Sequence, residues 1–226
     1  MTATMETIFL VDDDPAVYKA LSRVLREEGW NVETFESAEA FLARPDRHAQ
    51  GCLVLDVTMP GLDGLELQRR LNEEGQTLPI VFLTAHGDIP MSVRAIKAGA
   101  ADFLTKPINS EALLNAVRAA VERDVSARQS RAEIAGFKQR LATLTSRERE
   151  VLAAVVKGRL NKQIAGDLAI VEQTVKFHRG RIMERMQART VAELMHIAAR
   201  LGIEHAASEP STTTPTEKIA PKPARS

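Results

Sequence analysis

In the first half of the chain, polar residues able to do acid, anion or metal chemistry recur at one position, the end of a short apolar run. Asp12 and Asp13 follow Ile8-Phe9-Leu10-Val11, Asp56 follows Cys52-Leu53-Val54-Leu55, Thr84 follows Ile80-Val81-Phe82-Leu83, and Lys106 follows the run from Ala101 to Thr105. Each run reads as a buried strand that stops where the polar residue begins. With parallel strands, all five side chains gather on the carboxyl edge of one sheet, the edge where open α/β sheets bind ligands. Three carboxylates in one place repel each other unless a cation compensates. An oxygen-only set without His or Cys suits a hard ion such as Mg²⁺, which keeps several waters and also accepts a phosphate oxygen. Lys106 adds a point charge suited to phosphate and Thr84 a hydroxyl, while a carboxylate can itself accept a phosphoryl group. The chemistry implied is a metal-assisted aspartyl-phosphate site.

The elements that must hold these residues are legible between the strands. Val17, Leu21, Val24 and Leu25 recur at helical spacing before Gly29, and Asn31 to Phe35 reads as a second strand. Ser37 is placed to cap a short helix through Leu42. Leu62–Leu71, Pro90–Ala98 and a helix from Asn109 or Ser110 to about Val121 complete five strand–helix alternations. That pattern predicts a five-stranded parallel sheet, doubly wound and flavodoxin-like, covered on both faces.

Composition separates the halves. The 226 residues carry 30 Lys/Arg and 30 Asp/Glu, yet residues 1–123 hold 12 against 19 and residues 141–204 hold 11 against 7. An acidic front and a basic back imply two domains with different partners, the basic one suited to nucleic acid. The single cysteine, Cys52, excludes an intrachain disulfide and reads as a small core hydrophobe. No run of about 18 apolar residues occurs, so no membrane span is expected and a cytoplasmic location is.

Residues 6–122 resemble the receiver domain of two-component response regulators. The resemblance is carried by the Asp12-Asp13 pair, the run Asp-x-x-Met-Pro-Gly-x-x-Gly from Asp56 to Gly64, Thr84, and Lys106-Pro107. It implies that Asp56 is the phosphoacceptor of a cognate sensor histidine kinase. It also implies that Asp13, Asp56 and the backbone carbonyl of Thr58 hold Mg²⁺, with Asp12 acting through water. Lys106 would pair with the phosphoryl group and precede Pro107 through a cis bond. Thr84 and Phe103 match the family's switch pair, although Phe103 taken alone reads as core. His86, in the loop after Thr84, lies close enough to suggest catalysis, but a loop histidine is ordinarily just solvated.

Residues 123–140 are rich in Arg, Glu, Gln and Ala with sparse apolar positions, which suits a helical linker with a flexible break near Gly136. A coiled-coil dimer contact is the alternative reading, although the stretch supplies fewer than three heptads. Beyond it, Thr145 and Glu148 have capping-box spacing, Asn161 and Thr190 are placed as helix caps, and four short helices are expected between residues 141 and 204. In the third, Glu172 to about Met186, Val175, Ile182 and Met186 share one face. Gln173, Lys176, Phe177, Gly180 and Arg181 lie roughly opposite, and His178, Arg179 and Arg185 lie on the flanks. An outer polar face with basic flanks fits major-groove docking; a solvated charged face is the plainer reading of the same pattern.

Residues 141–203 resemble the LuxR-type helix-turn-helix domain, through Leu144-Thr145-x-Arg147-Glu148-x-Glu150-Val151-Leu152, Asn161-Lys162-Gln163-Ile164-Ala165 and Thr174-Val175-Lys176-x-His178. The whole chain resembles the FixJ/NarL class of response regulators. The segment Thr84–Met91 is similar to a branch that includes regulators of aromatic-hydrocarbon catabolism. The resemblance implies double-stranded DNA, RNA polymerase and a phosphorylation-dependent homodimer as partners. It points to Lys162, Gln173, Thr174, Lys176, Phe177, His178, Arg179 and Arg181 as DNA contacts. Two residues depart from the family pattern: Ala169 stands where glycine is usual in the turn, and Val171 where a hydroxyl or Ala is common. His178 reads equally as a half-buried structural residue. Residues 205–226, rich in Pro, Ser and Thr, read as a disordered tail. The leading function is a phosphorylation-switched transcription factor and not an enzyme. A small-molecule aspartyl-phosphate hydrolase and a constitutive DNA binder with a vestigial receiver are weaker alternatives.

Overall fold

The computed structural model describes residues 6–45, 50–85 and 89–203; His86 and the tail from residue 205 lie outside them. The chain divides into two units between Ala132 and Glu133.

In the first unit the order is β1 (Thr7–Val11), α1 (Pro15–Glu27), β2 (Asn31–Phe35), α2 (Ala38–Leu42), β3 (Gly51–Asp56), α3 (Gly64–Glu73), β4 (Ile80–Thr84), α4 (Ile89–Lys97), β5 (Asp102–Thr105) and α5 (Ser110–Ala142). All strand pairs are parallel, in the order β2-β1-β3-β4-β5. Side chains alternate between faces along a strand. Phe9, Val11, Leu53, Leu55 and Phe82 therefore fill one core under α2, α3 and α4. Ile8, Leu10, Cys52, Val54 and Val81 fill a second core under α1 and α5. A sheet buried on both faces needs strands with uninterrupted apolar runs, and β1, β3 and β4 have them in Ile8–Val11, Cys52–Leu55 and Ile80–Leu83. Side-chain caps start the helices: Asp14 accepts from Ala16 N–H at 2.8 Å, Ser37 from Ala40 N–H at 3.1 Å, and Asp63 from Glu66 N–H at 2.7 Å. The Asp63 cap sets the start of α3 at Gly64, two residues later than the apolar spacing suggests.

On α5, Leu113, Ala116, Val117, Ala120 and Val121 form the buried stripe of an amphipathic helix. The expected end near Val121 and the break near Gly136 are both absent, since the helix runs unbroken to Ala142. The physical reason is that the sparse apolar positions serve two cores. Val125 packs against the first unit, whereas Phe137 is buried in the second with Leu141 beside it. Asp124, in the charge-rich stretch, is buried and accepts from Gly51 N–H at 3.1 Å and Arg128 Nε at 2.7 Å.

The second unit continues with α6 (Ser146–Val156), α7 (Asn161–Asp167), α8 (Glu172–Met186) and α9 (Val191–Arg200). The capping box at Thr145 and Glu148 starts α6, and Thr190 accepts from Glu193 N–H at 3.1 Å to start α9. The cap residue of α7 is Leu160, not Asn161, and Leu160 N–H donates to Gln163 Oε1 at 2.9 Å. Val151, Leu152, Ile164, Val175, Ile182, Leu194 and Ile197 close a single core.

Candidate functional site

Backbone hydrogen bonds carry the polar residues into register at the carboxyl edge of the sheet. Asp12 N–H donates to Phe35 O at 3.2 Å, Val57 N–H to Leu83 O at 2.9 Å and Lys106 N–H to Thr84 O at 2.7 Å. The Lys106-Pro107 bond is cis. In the order β2-β1-β3, the chain leaves β1 in opposite directions on its two sides, so β1 and β3 flank the switch point where such folds bind ligands.

Asp12 and Asp56 are buried there, and Asp13 is exposed. One carboxylate oxygen from each of the three lies within 4.8 Å of the others. Lys106 Nζ donates to Asp12 Oδ2 at 2.7 Å and to Asp56 Oδ2 at 3.1 Å. Burial holds the Asp56 pKa above its ordinary value; Lys106 works against that rise, and the neighbouring Asp12 charge adds to it. Burial also opposes the charge on Lys106, but the contacts with both aspartates outweigh it and leave its pKa raised. One ammonium among three carboxylates leaves the cluster short of positive charge. With only oxygen donors, the set fits a hard divalent cation.

The remaining first-unit candidates surround this cluster unequally. Thr84 is buried at the end of β4. Thr58 is exposed, and its N–H lies 3.5 Å from Asp56 Oδ1. Phe103 is half-buried and faces Phe82 across the β4–β5 pair, with ring centroids 6.1 Å apart. Gly64 explains the last residue of the Asp56–Gly64 run: a Cβ there would come within 2.3 Å of the Asp56 carbonyl oxygen.

In the second unit, α8 presents Gln173, Lys176, Phe177 and Arg181 outward, with Phe177 60% exposed. The Arg181 guanidinium stands 5.6 Å from the Phe177 ring. Lys162 is exposed on α7, and residues 159–162 share a surface hollow with Glu172 and Arg179. Thr174, His178 and Arg179 are half-buried. Arg179 Nη1 donates to Asn161 Oδ1 at 3.1 Å, which turns it toward α7. His178 Nδ1 is buried without a hydrogen-bond partner. The turn between α7 and α8 is a Schellman motif: Ile170 N–H donates to Ala165 O at 3.0 Å and Ala169 N–H to Gly166 O at 3.2 Å. Ala169 takes the left-handed conformation with φ 51°, and Val171 caps α8 without a side-chain hydrogen bond.

The spacing of charged residues gave no sign of what fixes the far end of α8. Buried Glu148 pairs with Arg185 at 3.2 Å, and Arg140 Nη1 donates to Met186 O at 3.0 Å. The Thr145 backbone N–H holds the Glu148 carboxyl below its ordinary pKa against the opposing effect of burial, helped by the Thr145 hydroxyl and Arg185.

The geometry agrees with known proteins in both halves. The response regulator receiver domain family matches residues 8–118, and the luxR family of bacterial regulatory proteins matches residues 142–198. Response regulator protein TodT of Pseudomonas putida is 46% identical over 201 residues, covering 89% of this chain and 88% of TodT. The chain belongs to the response regulators. Transcriptional regulatory protein FixJ of Azorhizobium caulinodans is 42% identical over 198 residues, covering 87% of this chain and 93% of FixJ. A low-resolution structure of response regulator StyR superposes with a TM-score of 0.77 at 46% identity, over 87% of this chain and 99% of that one. The family is one of transcription regulators, not of enzymes, which removes the hydrolase reading. Among the described residues, no helix is long and apolar enough to cross a membrane.

Proposed function

We propose that this response regulator is phosphorylated on Asp56 by a sensor histidine kinase, and that this modification promotes dimerisation and sequence-specific binding to double-stranded DNA. The observation that carries the reading is the Lys106 ammonium shared between Asp12 and Asp56, within a cluster that fits a divalent cation. Asp12, Asp13, Asp56 and the Thr58 carbonyl are the residues assigned to hold Mg²⁺. Such an ion would screen the carboxylates and draw charge from the phosphoryl oxygens. An Asp56 oxygen forms the new P–O bond as the P–N bond to the kinase imidazole breaks, and the imidazole takes up a proton as it leaves. Lys106 then exchanges its Asp56 contact for a phosphoryl oxygen. Thr84, at the end of β4, and Phe103, paired with Phe82 on the neighbouring β5, are assigned the switch that carries the change outward.

For DNA, the exposed Gln173, Lys176, Phe177 and Arg181 are assigned to the groove, with Lys162, Thr174, His178 and Arg179 at its margins. RNA polymerase recruitment and a cytoplasmic location complete the reading. The experiment is a phosphotransfer assay with acetyl phosphate and Mg²⁺, followed by size-exclusion chromatography and electrophoretic DNA binding. Wild type is expected to gain an acid-labile phosphate, dimerise and bind a paired site more tightly, and Asp56→Ala to do none of these. Equal DNA affinity for phosphorylated wild type and Asp56→Ala would overturn the switch.

A further inference from the structure

The loop that runs from Asp56 to Gly64 is anchored at its base, at its far end and from outside. Gly64 N–H donates to Val57 O at 2.9 Å, and Asp63 caps α3. The outside anchor is Glu39, an exposed residue of α2 that neither charge spacing nor the receiver resemblance singles out. Its Oε1 accepts from Leu62 N–H at 3.0 Å. Thr58, whose carbonyl is assigned to Mg²⁺, lies on the same loop, and Glu39 stands outside the Asp12, Asp13 and Asp56 cluster. From this contact we infer that Glu39 is a positioning residue for the metal site, acting by holding the loop that carries the Thr58 carbonyl. The inference rests on the Mg²⁺ assignment proposed above.

The loop is shaped to receive this carboxylate. Gly61 takes φ 78°, and a Cβ there would stand 2.9 Å from Glu39 Oε1, so the glycine of Met59-Pro60-Gly61 both makes the turn and leaves room for the acceptor. On either side of the exposed Pro60 and Gly61, the Met59 and Leu62 side chains are buried in the core that Ala38 and Phe41 of α2 also enter. Helix α2 therefore grips the loop twice, through apolar packing and through a hydrogen bond to a charged acceptor, which is about twice as strong as a neutral one. Its own N–H and that of Leu62 hold the Glu39 carboxyl below the ordinary carboxylate range against the opposing effect of desolvation, helped by the Ser37 hydroxyl and Arg70. The acceptor is thus charged at neutral pH.

A backbone carbonyl has no rotamers with which to find a cation. The peptide plane is rigid, so the direction of the oxygen follows from the φ and ψ angles on either side, and such a ligand is only as well placed as its loop. Contacts that orient metal ligands from outside the coordination sphere typically carry about 10–100-fold in affinity. A tie at Leu62, on a loop that packing also holds, belongs at the low end of that range.

The test is isothermal titration of the full chain with MgCl₂, beside thermal unfolding without the metal. Glu39→Ala is expected to weaken Mg²⁺ binding about tenfold. Glu39→Gln keeps an oxygen acceptor for the Leu62 N–H and is expected to stay within about threefold of wild type. Ala40→Gly loosens α2 at an exposed position without removing the contact, and is expected to lower Tm while leaving Mg²⁺ affinity unchanged. Asp13→Asn tests the underlying assignment and is expected to lose Mg²⁺ binding. If Asp13→Asn binds as wild type does, the metal assignment fails and this role falls with it. If Asp13→Asn loses binding while Glu39→Ala keeps wild-type affinity, or if Ala40→Gly weakens Mg²⁺ as much as Glu39→Ala, the metal assignment stands and the role of Glu39 is overturned.

Discussion

Two helix ends in the DNA-binding unit have the same hydrogen-bond pattern and different residues at the same place, and this makes the energetics of the turn before α8 measurable. After α6, Gly158 takes φ 74°, with Gly158 N–H on Val155 O at 2.9 Å and Arg159 N–H on Ala154 O at 3.1 Å. After α7, Ala169 fills the equivalent position with φ 51°. An L-residue in this conformation costs about 1–2 kcal/mol, and glycine returns about 0.4–1 kcal/mol of that through its freer unfolded chain. Ala169→Gly is therefore expected to stabilise the unit by about 0.5–1 kcal/mol, and Gly158→Ala to destabilise it by a similar amount. A Cβ on Gly158 meets nothing within 4 Å, so no clash confuses the second value. For a unit of this size the shifts correspond to roughly 3–6 °C in Tm, of opposite sign. Calorimetry of the full chain reads both, following the transition that responds to Phe137→Ala. An Ala169→Gly variant no more stable than wild type, beside a Gly158→Ala variant that loses the expected amount, would refute the argument that Ala169 is held there at a cost.

Further expectations follow from the charged groups and from α5. Asp56 has a raised pKa when folded, so its contribution is present below the unfolded value of about 3.8 and is lost as pH rises through the raised one. Without divalent cation, Asp56→Asn is expected to be more stable than wild type at pH 7 in chemical denaturation, with the gap narrowing toward pH 4; a less stable variant at pH 7 contradicts the sign. Glu148 is depressed when folded, so its contribution is present above about pH 4.5 and is lost as pH falls through the depressed value. Glu148→Gln is expected to flatten the acid side of the second unit's stability curve. A fragment spanning residues 133–203 is expected to fold more stably than one spanning 141–203, by at least about 2 kcal/mol, because the shorter one lacks the buried Phe137 ring. Equal urea midpoints for the two would count against Phe137 as a core residue.

The strand ends were legible because burial on both sheet faces forces uninterrupted apolar runs, and a carboxylate that closes such a run stands out. Run ends alone put Asp12, Asp13, Asp56, Thr84 and Lys106 on one edge of the sheet. Period-3.6 spacing likewise exposed the buried face of α8. It could not resolve the flanks, where Arg179 turns to Asn161 and His178 is half-buried, because helical angle alone does not say which neighbours lie on either side. The connector misled for a related reason. Asp124 and Arg128, four residues apart among many charges, look like a solvated pair, and only the fold shows the Gly51 N–H waiting for one of them. Leu160 gives no sequence signal as a cap because its side chain cannot accept a hydrogen bond, although its backbone marks the start of α7.

The unbroken helix α5 changes where this protein can be cut and rejoined. Receivers and DNA-binding units are the kind of parts that gene fusion exchanges, and a crossover at residue 141 looks natural from composition. It would strip Phe137 and Arg140 from the unit they complete, while a crossover before Asp124 would take from the receiver the carboxylate that holds Gly51. The stretch between Val125 and Ile134, mostly exposed, can be exchanged with both apolar cores left whole, provided that Arg128 is kept for Asp124. A recombination event that succeeds must therefore fall inside a helix, between the residues that complete one core and those that complete the other.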